Sequence, residues 1–407
     1  MTATPLKPST PFVVFGDDWG RSVSTMQHVF RHVAERHPVL WINGIGHRLP
    51  RLSDARRAVE KIMAAASGPP TQVNAELNFG RRPQWILQPS VLPWHHWRAV
   101  HAFNTRAMVR LIRATLSEAG VVERPFLVTG SPPSVGVIGQ LDELGSVYYC
   151  LDDFLHLPTT SPKMLEPLER RLLDRVDAVV ATAKDLTVSK RPRSGVVHHL
   201  PQGVNFEHFA DPKPVPEEIS RLPRPIIGFA GGLFDRCDIE LLLALSERHA
   251  DGSIVLVGPV YIDSAPLQRP NIHVLGPRPY AILPGYVQAF DVGIIPYILN
   301  EETVAVDPLK LLEYLAAGIP VVCTDLPEAR KYEAVVMIAQ TTPAFVQRTC
   351  DAIAAGSALR HERQATARKH GWPSRAQRLL EICAEVACAR AGLSSAHPSG
   401  PLHPLGT

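Results

Sequence analysis

The stretch 303–323, TVAVDPLKLLEYLAAGIPVVC, contains a complete helix and the strand that follows it. Asp307 is a favourable N-cap, and Pro308 suits the first turn, where a missing N–H removes no hydrogen bond. Leu309, Leu312 and Ala316 recur at helical spacing, and Leu311 and Leu315 widen the apolar face. Gly318 ends the helix as a C′ residue, Pro320 follows it, and Val321–Cys323 reads as a short buried strand. Lys310 and Glu313 interrupt the apolar pattern three residues apart, on one face near the helix N-terminus. Free N–H groups and positive potential at a helix N-terminus suit a phosphate. A lysine there adds charge, and a carboxylate one turn on accepts hydrogen bonds from sugar hydroxyls. A surface ion pair would need no ligand, but the position between apolar strands favours the ligand reading.

Around this stretch the chain alternates strands with helices. Residues 12–15, 39–43, 126–129, 147–151, 178–182 and 196–200 read as a first set of strands, and WILQPSVLP is a poor strand because its prolines break it. Helices are expected near 22–37, 53–66 and 97–118. DPKPVPEEISRLPRP, with five prolines, reads as an interdomain linker. A second set of strands follows at 226–230, 253–257, 272–275, 291–295, 320–323 and 335–338. Such alternation predicts an α/β protein of two doubly wound parallel sheets. The domains are expected at 1–205 and 206–372, followed by a last helix near 374–389 and a disordered Ser/Pro/Gly-rich tail at 391–407.

The chain has 407 residues and 45% apolar composition, enough for two domains with sizeable cores. No apolar run reaches the ~20 residues that span a bilayer, and the N-terminus lacks signal-peptide character. Six scattered cysteines without a Cys-x-x-Cys pair suit reduced thiols, so a cytosolic protein is expected. Residues 1–205 carry 24 Lys/Arg against 17 Asp/Glu, net +7, and residues 206–407 carry 18 against 22, net −4. The first half is therefore expected to face something anionic. No nucleic-acid partner is expected.

In doubly wound sheets ligands sit at the carboxyl ends of the strands. The residues found there are Asp17-Asp18, Asn43-Gly44, Gly130-Ser131 and Asp152-Asp153 in the first half. In the second half they are Gly231-Gly232, Gly258-Pro259, Pro277-Arg278 and Pro296-Tyr297. Gly231-Gly232 lets a backbone approach a diphosphate, and it also suits an ordinary turn. No Gly-x-Gly-x-x-Gly follows a strand, which weakens a dinucleotide reading. Adjacent aspartates can cap turns; Asp18 and one of Asp152 and Asp153 are the candidates to bind an acceptor or assist proton transfer. His95-His96 and His198-His199 are neighbours that point to opposite faces of a strand, and no metal site is expected.

PLKLLEYLAAGIPVV resembles the donor-site helix of retaining glycosyltransferases of the GT-B fold, family 4. Their signature is two glutamates separated by seven residues, then a small-residue turn and a Pro-Val-Val strand. The second glutamate falls on Glu313, and the first on Ala305, a departure. The Pro-x-Lys-x-x-Glu-Tyr run at Pro308, Lys310, Glu313 and Tyr314 is similar to a branch that assembles bacterial cell-surface polysaccharides, of exopolysaccharide and teichuronic acid type. FGDDWGRSVSTMQHVF, YYCLDDF, LPQGVNFEHF and LPGYVQAFDVGIIPY resemble segments of the same enzymes in the same order. The resemblance implies two Rossmann-like domains facing a cleft and a final helix that packs back on the first domain. It implies transfer with retention, without cofactor or metal, from a nucleotide-sugar donor to a saccharide acceptor carried on a polyprenyl phosphate. Glu313 would hold ribose hydroxyls, and Lys310 the diphosphate. The family's phosphate-binding Arg and Lys are absent at Gly232 and near Cys237, which leaves Arg236, Lys310 and backbone N–H groups. Arg278 lies where the family holds the base. Asp307 has two readings, helix cap or substitute for the acid missing at Ala305. A nucleotide-sugar-binding scaffold without catalysis and a nucleotide-sugar epimerase are the alternatives.

On the helix near 97–118, Arg98, Arg106, Arg110 and Arg113 share a face at spacings of eight, four and three. Val100, Phe103, Ala107, Leu111 and Ala114 are expected to pack inward. With Trp94 and Trp97 before it, the arginine stripe predicts contact with an anionic membrane surface, so a peripheral position on the inner face is expected.

Overall fold

The computed structural model describes residues 4–21, 23–47, 81–157 and 160–395. The helix expected at 53–66 and tail residues 396–407 lie outside them. Thirteen described strands form two all-parallel sheets. β1 (Phe12–Phe15), β2 (Val39–Ile42), β3 (Trp85–Leu87), β4 (Phe126–Thr129), β5 (Gly145–Cys150), β6 (Ala178–Ala181) and β7 (Val197–His199) are ordered β3-β2-β1-β4-β5-β6-β7. β8 (Ile226–Ala230), β9 (Ser253–Val257), β10 (Ile272–Gly276), β11 (Val292–Ile295), β12 (Val321–Thr324) and β13 (Met337–Ala339) are ordered β10-β9-β8-β11-β12-β13. Each order reverses at its centre, between β1 and β4 and between β8 and β11, and those points are where a doubly wound sheet opens a crevice. The buried strands are continuous apolar runs because helices cover both faces of each sheet. The broken WILQPSVLP segment contributes only the three-residue edge strand β3.

The Pro-rich segment after Phe209 is packed against the second domain. It forms a short helix, Glu217–Ser220, whose Ile219 is fully buried. The Lys213 N–H donates to Gln288. The chain crosses between domains nearer Val204, whose N–H donates to His370 O at 2.8 Å. The last helix, Trp372–Ser395, is longer than its sequence suggests. Its Leu379, Ile382 and Cys383 are fully buried with Val128, Val147 and Tyr149 of the first sheet. Each such aliphatic side chain contributes about 1.5–3 kcal/mol. A Cβ on Gly203 would stand 2.6 Å from the Trp372 ring, so glycine there admits the tryptophan that opens this helix.

The helix Arg98–Glu118 is rotated from its expected orientation. His101, Asn104, Met108, Ile112 and Leu116 are its buried residues, a 3-4-4-4 progression. Phe103 and Leu111 are exposed, at 58% and 39%, on the solvent side with Arg106, Arg110 and Arg113. The helix carries apolar residues on more than one face, and burial of the polar pair His101 and Asn104 hid the true core stripe. Asn104 bridges Leu92, accepting from its N–H and donating to its carbonyl, which gives a polar residue its reason to be inside.

Candidate active site

The helix Leu309–Ala317 begins after Pro308 and ends at Gly318, whose φ of 76° is left-handed and favours glycine. Tyr314 is fully buried, and its hydroxyl accepts the Ala230 N–H at 2.7 Å, which fixes the end of β8 against this helix. Lys310 and Glu313 point the other way. With Gly231, Gly258, Pro259, Arg278 and Tyr280 they line a cavity of about 230 Å³ at the carboxyl ends of β8, β9 and β10, and Val23 of the first domain also lines it. That volume is below the roughly 300–1,000 Å³ of whole-ligand pockets, so it would hold only part of a drug-sized molecule.

Lys310 Nζ donates to Tyr297 Oη at 2.5 Å and lies 5.0 Å and 5.3 Å from the Tyr297 and Phe229 ring centroids. A Cβ on Gly231 would be 2.6 Å from Lys310 Cε, so glycine lets the lysine stem pass. Gly258, at φ 148°, presses its backbone against Gly231 O, and any side chain there would collide with it. Gly232 is not on the cavity wall and sits beneath Phe234. Glu313 is 7% exposed and has no hydrogen-bond partner among the described residues. Burial pushes its carboxyl up to about 7, with Lys310 opposing. A buried carboxylate without a partner is unfavourable unless something supplies donors.

Asp307 is not the helix cap. The helix has no side-chain cap, and the buried Asp307 carboxylate accepts the Gln202 N–H at 2.9 Å and Lys331 Nζ at 3.1 Å. Lys331 also donates to Glu328 at 2.9 Å, and Glu328 accepts the Lys184 N–H at 2.6 Å. These contacts join the start of the helix to the first domain. Ala305 is packed among first-domain core residues, so an apolar contact occupies the position of the signature's first acid.

Arg278 lines the cavity and is held by Glu218 on the Pro-rich segment, at 2.9 Å, and by Tyr286 Oη at 3.0 Å. Arg236 lies between the Phe234 and Tyr297 rings, 5.0 Å and 5.2 Å from their centroids, and bonds Glu302 at 3.0 Å. Composition around a linker gave no sign of Glu218, and Glu302 falls outside every motif. Both are acids whose partners lie about 60 residues away in sequence.

The paired aspartates of the first domain separate by role. Asp17 accepts from Ser24 and Gln27, and Asp18 accepts the Gly44 N–H at 3.2 Å and pairs with Arg21 at 3.3 Å. Both therefore hold the loop after β1. Asp153 is bound by Lys190 and His156, each at 2.8 Å, and Lys190 also meets Glu169 at 2.8 Å. Burial alone would raise Asp153, but the Lys190 contact and the other hydrogen bonds bring it below the usual carboxylate range. Asp152 has no side-chain hydrogen bond among the described residues. Burial raises it, and Arg236 opposes.

The sequence profile of the family described as "Glycosyl transferases group 1" matches residues 224–355. Those residues hold the second sheet, from β8 to β13. The chain is 31% identical over 182 residues to the Bacillus subtilis (strain 168) protein named "Putative teichuronic acid biosynthesis glycosyltransferase TuaH". That match covers 42% of this chain, and the chain spans about half the length of that relative, 46%. Among solved structures, sucrose-phosphate synthase (tll1590) from Thermosynechococcus elongatus is similar with a TM-score of 0.65. Its identity is 15%, and the match covers 95% of this chain and 100% of that one. Anabaena Alr3699/HepE in complex with UDP is similar with a TM-score of 0.62 at 14% identity, over 92% of this chain and 100% of that one. The fold is GT-B, two Rossmann-like domains facing a cleft.

Proposed function

We propose that the protein is a retaining glycosyltransferase that moves a sugar from a nucleotide diphosphate sugar to a lipid-carried saccharide in polysaccharide assembly. The observation that carries this reading is Glu313, a buried carboxylate without a hydrogen-bond partner among the described residues, opening into the same cavity as Lys310. Vicinal ribose hydroxyls would supply its missing donors. Lys310, steadied by Tyr297, would neutralise the diphosphate as the sugar–phosphate C–O bond breaks, which is where the transition state gathers charge. The acceptor hydroxyl forms the new C–O bond, and its proton leaves with the nucleoside diphosphate. UDP is the nucleotide to test first, because it is bound in the Alr3699/HepE structure.

The acceptor side is read from the first domain. Trp94, Trp97 and Phe103 are exposed beside Arg98, Arg106 and Arg110, none of which has an acidic partner among the described residues. Arg113 is bound to the Gln140 carbonyl at 2.6 Å. Aromatic and basic side chains on one outward face suit the interface of an anionic membrane, where a lipid-carried acceptor would be met.

Calorimetry with UDP, then transfer of label from UDP-sugars to a membrane extract, tests the reading. Labelled product on an acceptor is expected. Conversion of the free nucleotide sugar without an acceptor would instead mean epimerisation, and binding without either would mean a scaffold.

A further inference from the structure

Within the cavity, Lys310 lies against Gly231 at the end of β8, and Arg278 follows the end of β10, two places along in the order β10-β9-β8. Neighbouring strands are about 4.8 Å apart, so these strand ends are separated by about 10 Å. With ribose on Glu313 and diphosphate on Lys310, the base is left for the β10 end, lined by Pro277, Arg278 and Tyr280. Arg278 has no side-chain donor to offer there. Its Nε donates to Glu218 Oε1 and Tyr286 Oη, each at 3.0 Å. Nη1 donates to the Leu275 and Pro277 carbonyls at 2.6 Å and 3.2 Å, and Nη2 to both Glu218 oxygens at 2.9 Å. Every N–H of the guanidinium therefore has a protein acceptor. Tyr286 Oη also donates to Glu218, and this bond, with Arg278, holds the Glu218 carboxyl below its usual range. Burial anchors both partners, through Tyr286 itself and through Ile219 beside Glu218. The Arg278 backbone differs from its side chain. It lies between Pro277 and Pro279, which have no N–H, and among the described residues its own N–H and C=O have no hydrogen-bond partner.

Resting on the reading of the cavity as a nucleotide-sugar site, we infer that Glu218 and Tyr286 are positioning residues for nucleotide selection: they occupy the Arg278 guanidinium and fix its backbone N–H and C=O as the edge that meets the base. One donor and one acceptor held side by side pair with a base edge that offers the complement. A base that offers anything else leaves polar groups unpaired, which is a strong basis for rejection. Because Glu218 is partly exposed, the value of the clamp lies in geometry more than in stability.

Calorimetry with UDP, GDP and UMP tests this on the full chain. The wild type is expected to discriminate between UDP and GDP by at least about tenfold. Glu218→Ala, which releases Arg278, is expected to narrow that ratio severalfold, and Tyr286→Phe to narrow it less. The ratio of UDP to UMP affinity, which reports the diphosphate contact, should stay at the wild-type value in both variants. A merely structural Glu218 would weaken UDP and GDP alike, and an unchanged UDP-to-GDP ratio in Glu218→Ala overturns the inference. Equal binding of UDP and GDP by the wild type overturns it too, with the nucleotide reading intact. If neither diphosphate binds, the nucleotide reading falls as well.

Discussion

The two sheets end in similar loops, but their charged residues are used differently. At the carboxyl ends of the first sheet most acids are satisfied from within. Asp17 and Asp18 hold their own loop, and Asp153 is locked to Lys190 and His156. At the carboxyl ends of the second sheet, among the described residues, Glu313 is buried and unpartnered, and Lys310 donates to Tyr297. A carboxylate that already has its donors stabilises the fold. One that lacks them marks where a ligand would repay the cost of burial.

Disrupting the satisfied side should cost the most stability. Lys190→Met would strand Asp153 and Glu169 in the interior, and loss of about 3–5 kcal/mol is expected in chemical unfolding. A loss below 1 kcal/mol would mean that this triad is not what holds the first domain. On the outer face of that domain, replacing Arg106, Arg110 and Arg113 together with Ser should remove about 1 kcal/mol each of attraction to anionic vesicles. Co-sedimentation at low and high salt reads this out, and equal binding by wild type and triple variant would leave the stripe as a solvated face.

On the unsatisfied side the fold should tolerate change and ligand affinity should not. Lys310→Ala is expected to weaken UDP binding by roughly 1.5–3 kcal/mol with little change in unfolding midpoint. Unchanged calorimetric affinity would remove Lys310 from the site. The smallest effect is one of pH. Because the free Glu313 carboxyl sits near 7, raised from its unfolded value, it stabilises the fold least once ionised, and that stability is lost as pH rises through about 7. Ribose hydroxyls need the ionised form. Affinity for UDP-glucose, whose diphosphate keeps its charge over this range, should therefore rise about tenfold from pH 6 to pH 8. The slope should vanish in Glu313→Gln, and a flat wild-type profile would mean that the carboxylate does not receive the ligand.

The parts legible in the sequence were those set by local physics. Five-residue apolar runs such as Ile226–Ala230 and Ser253–Val257 are strands at the bounds their composition indicates, because a doubly covered sheet leaves no polar alternation to confuse them. The left-handed stop at Gly318 and the shared face of Lys310 and Glu313 follow from helical geometry alone. What sequence did not reveal depends on distant partners. Asp307 looks like a cap because it precedes a proline, yet Gln202 and Lys331 take its oxygens. Glu218 sits in a segment that composition marks as a linker, yet it braces Arg278. Phe103 looks like core on a helix whose actual inward stripe includes a histidine and an asparagine.

The chain passes between the domains twice, and the two passages are neighbours. Val204 pairs with Gly371, and its N–H meets the His370 carbonyl. Two tethers side by side act like a pair of door pins set on one jamb: relative turning pivots there and sliding is resisted. Groups far from that line sweep the largest arc. His156 Nε2 and the Glu301 carboxylate meet across the cleft at 3.1 Å and join one domain to the other. A rotation at the passages would part them, while Lys310 and Glu313 travel together on one rigid helix.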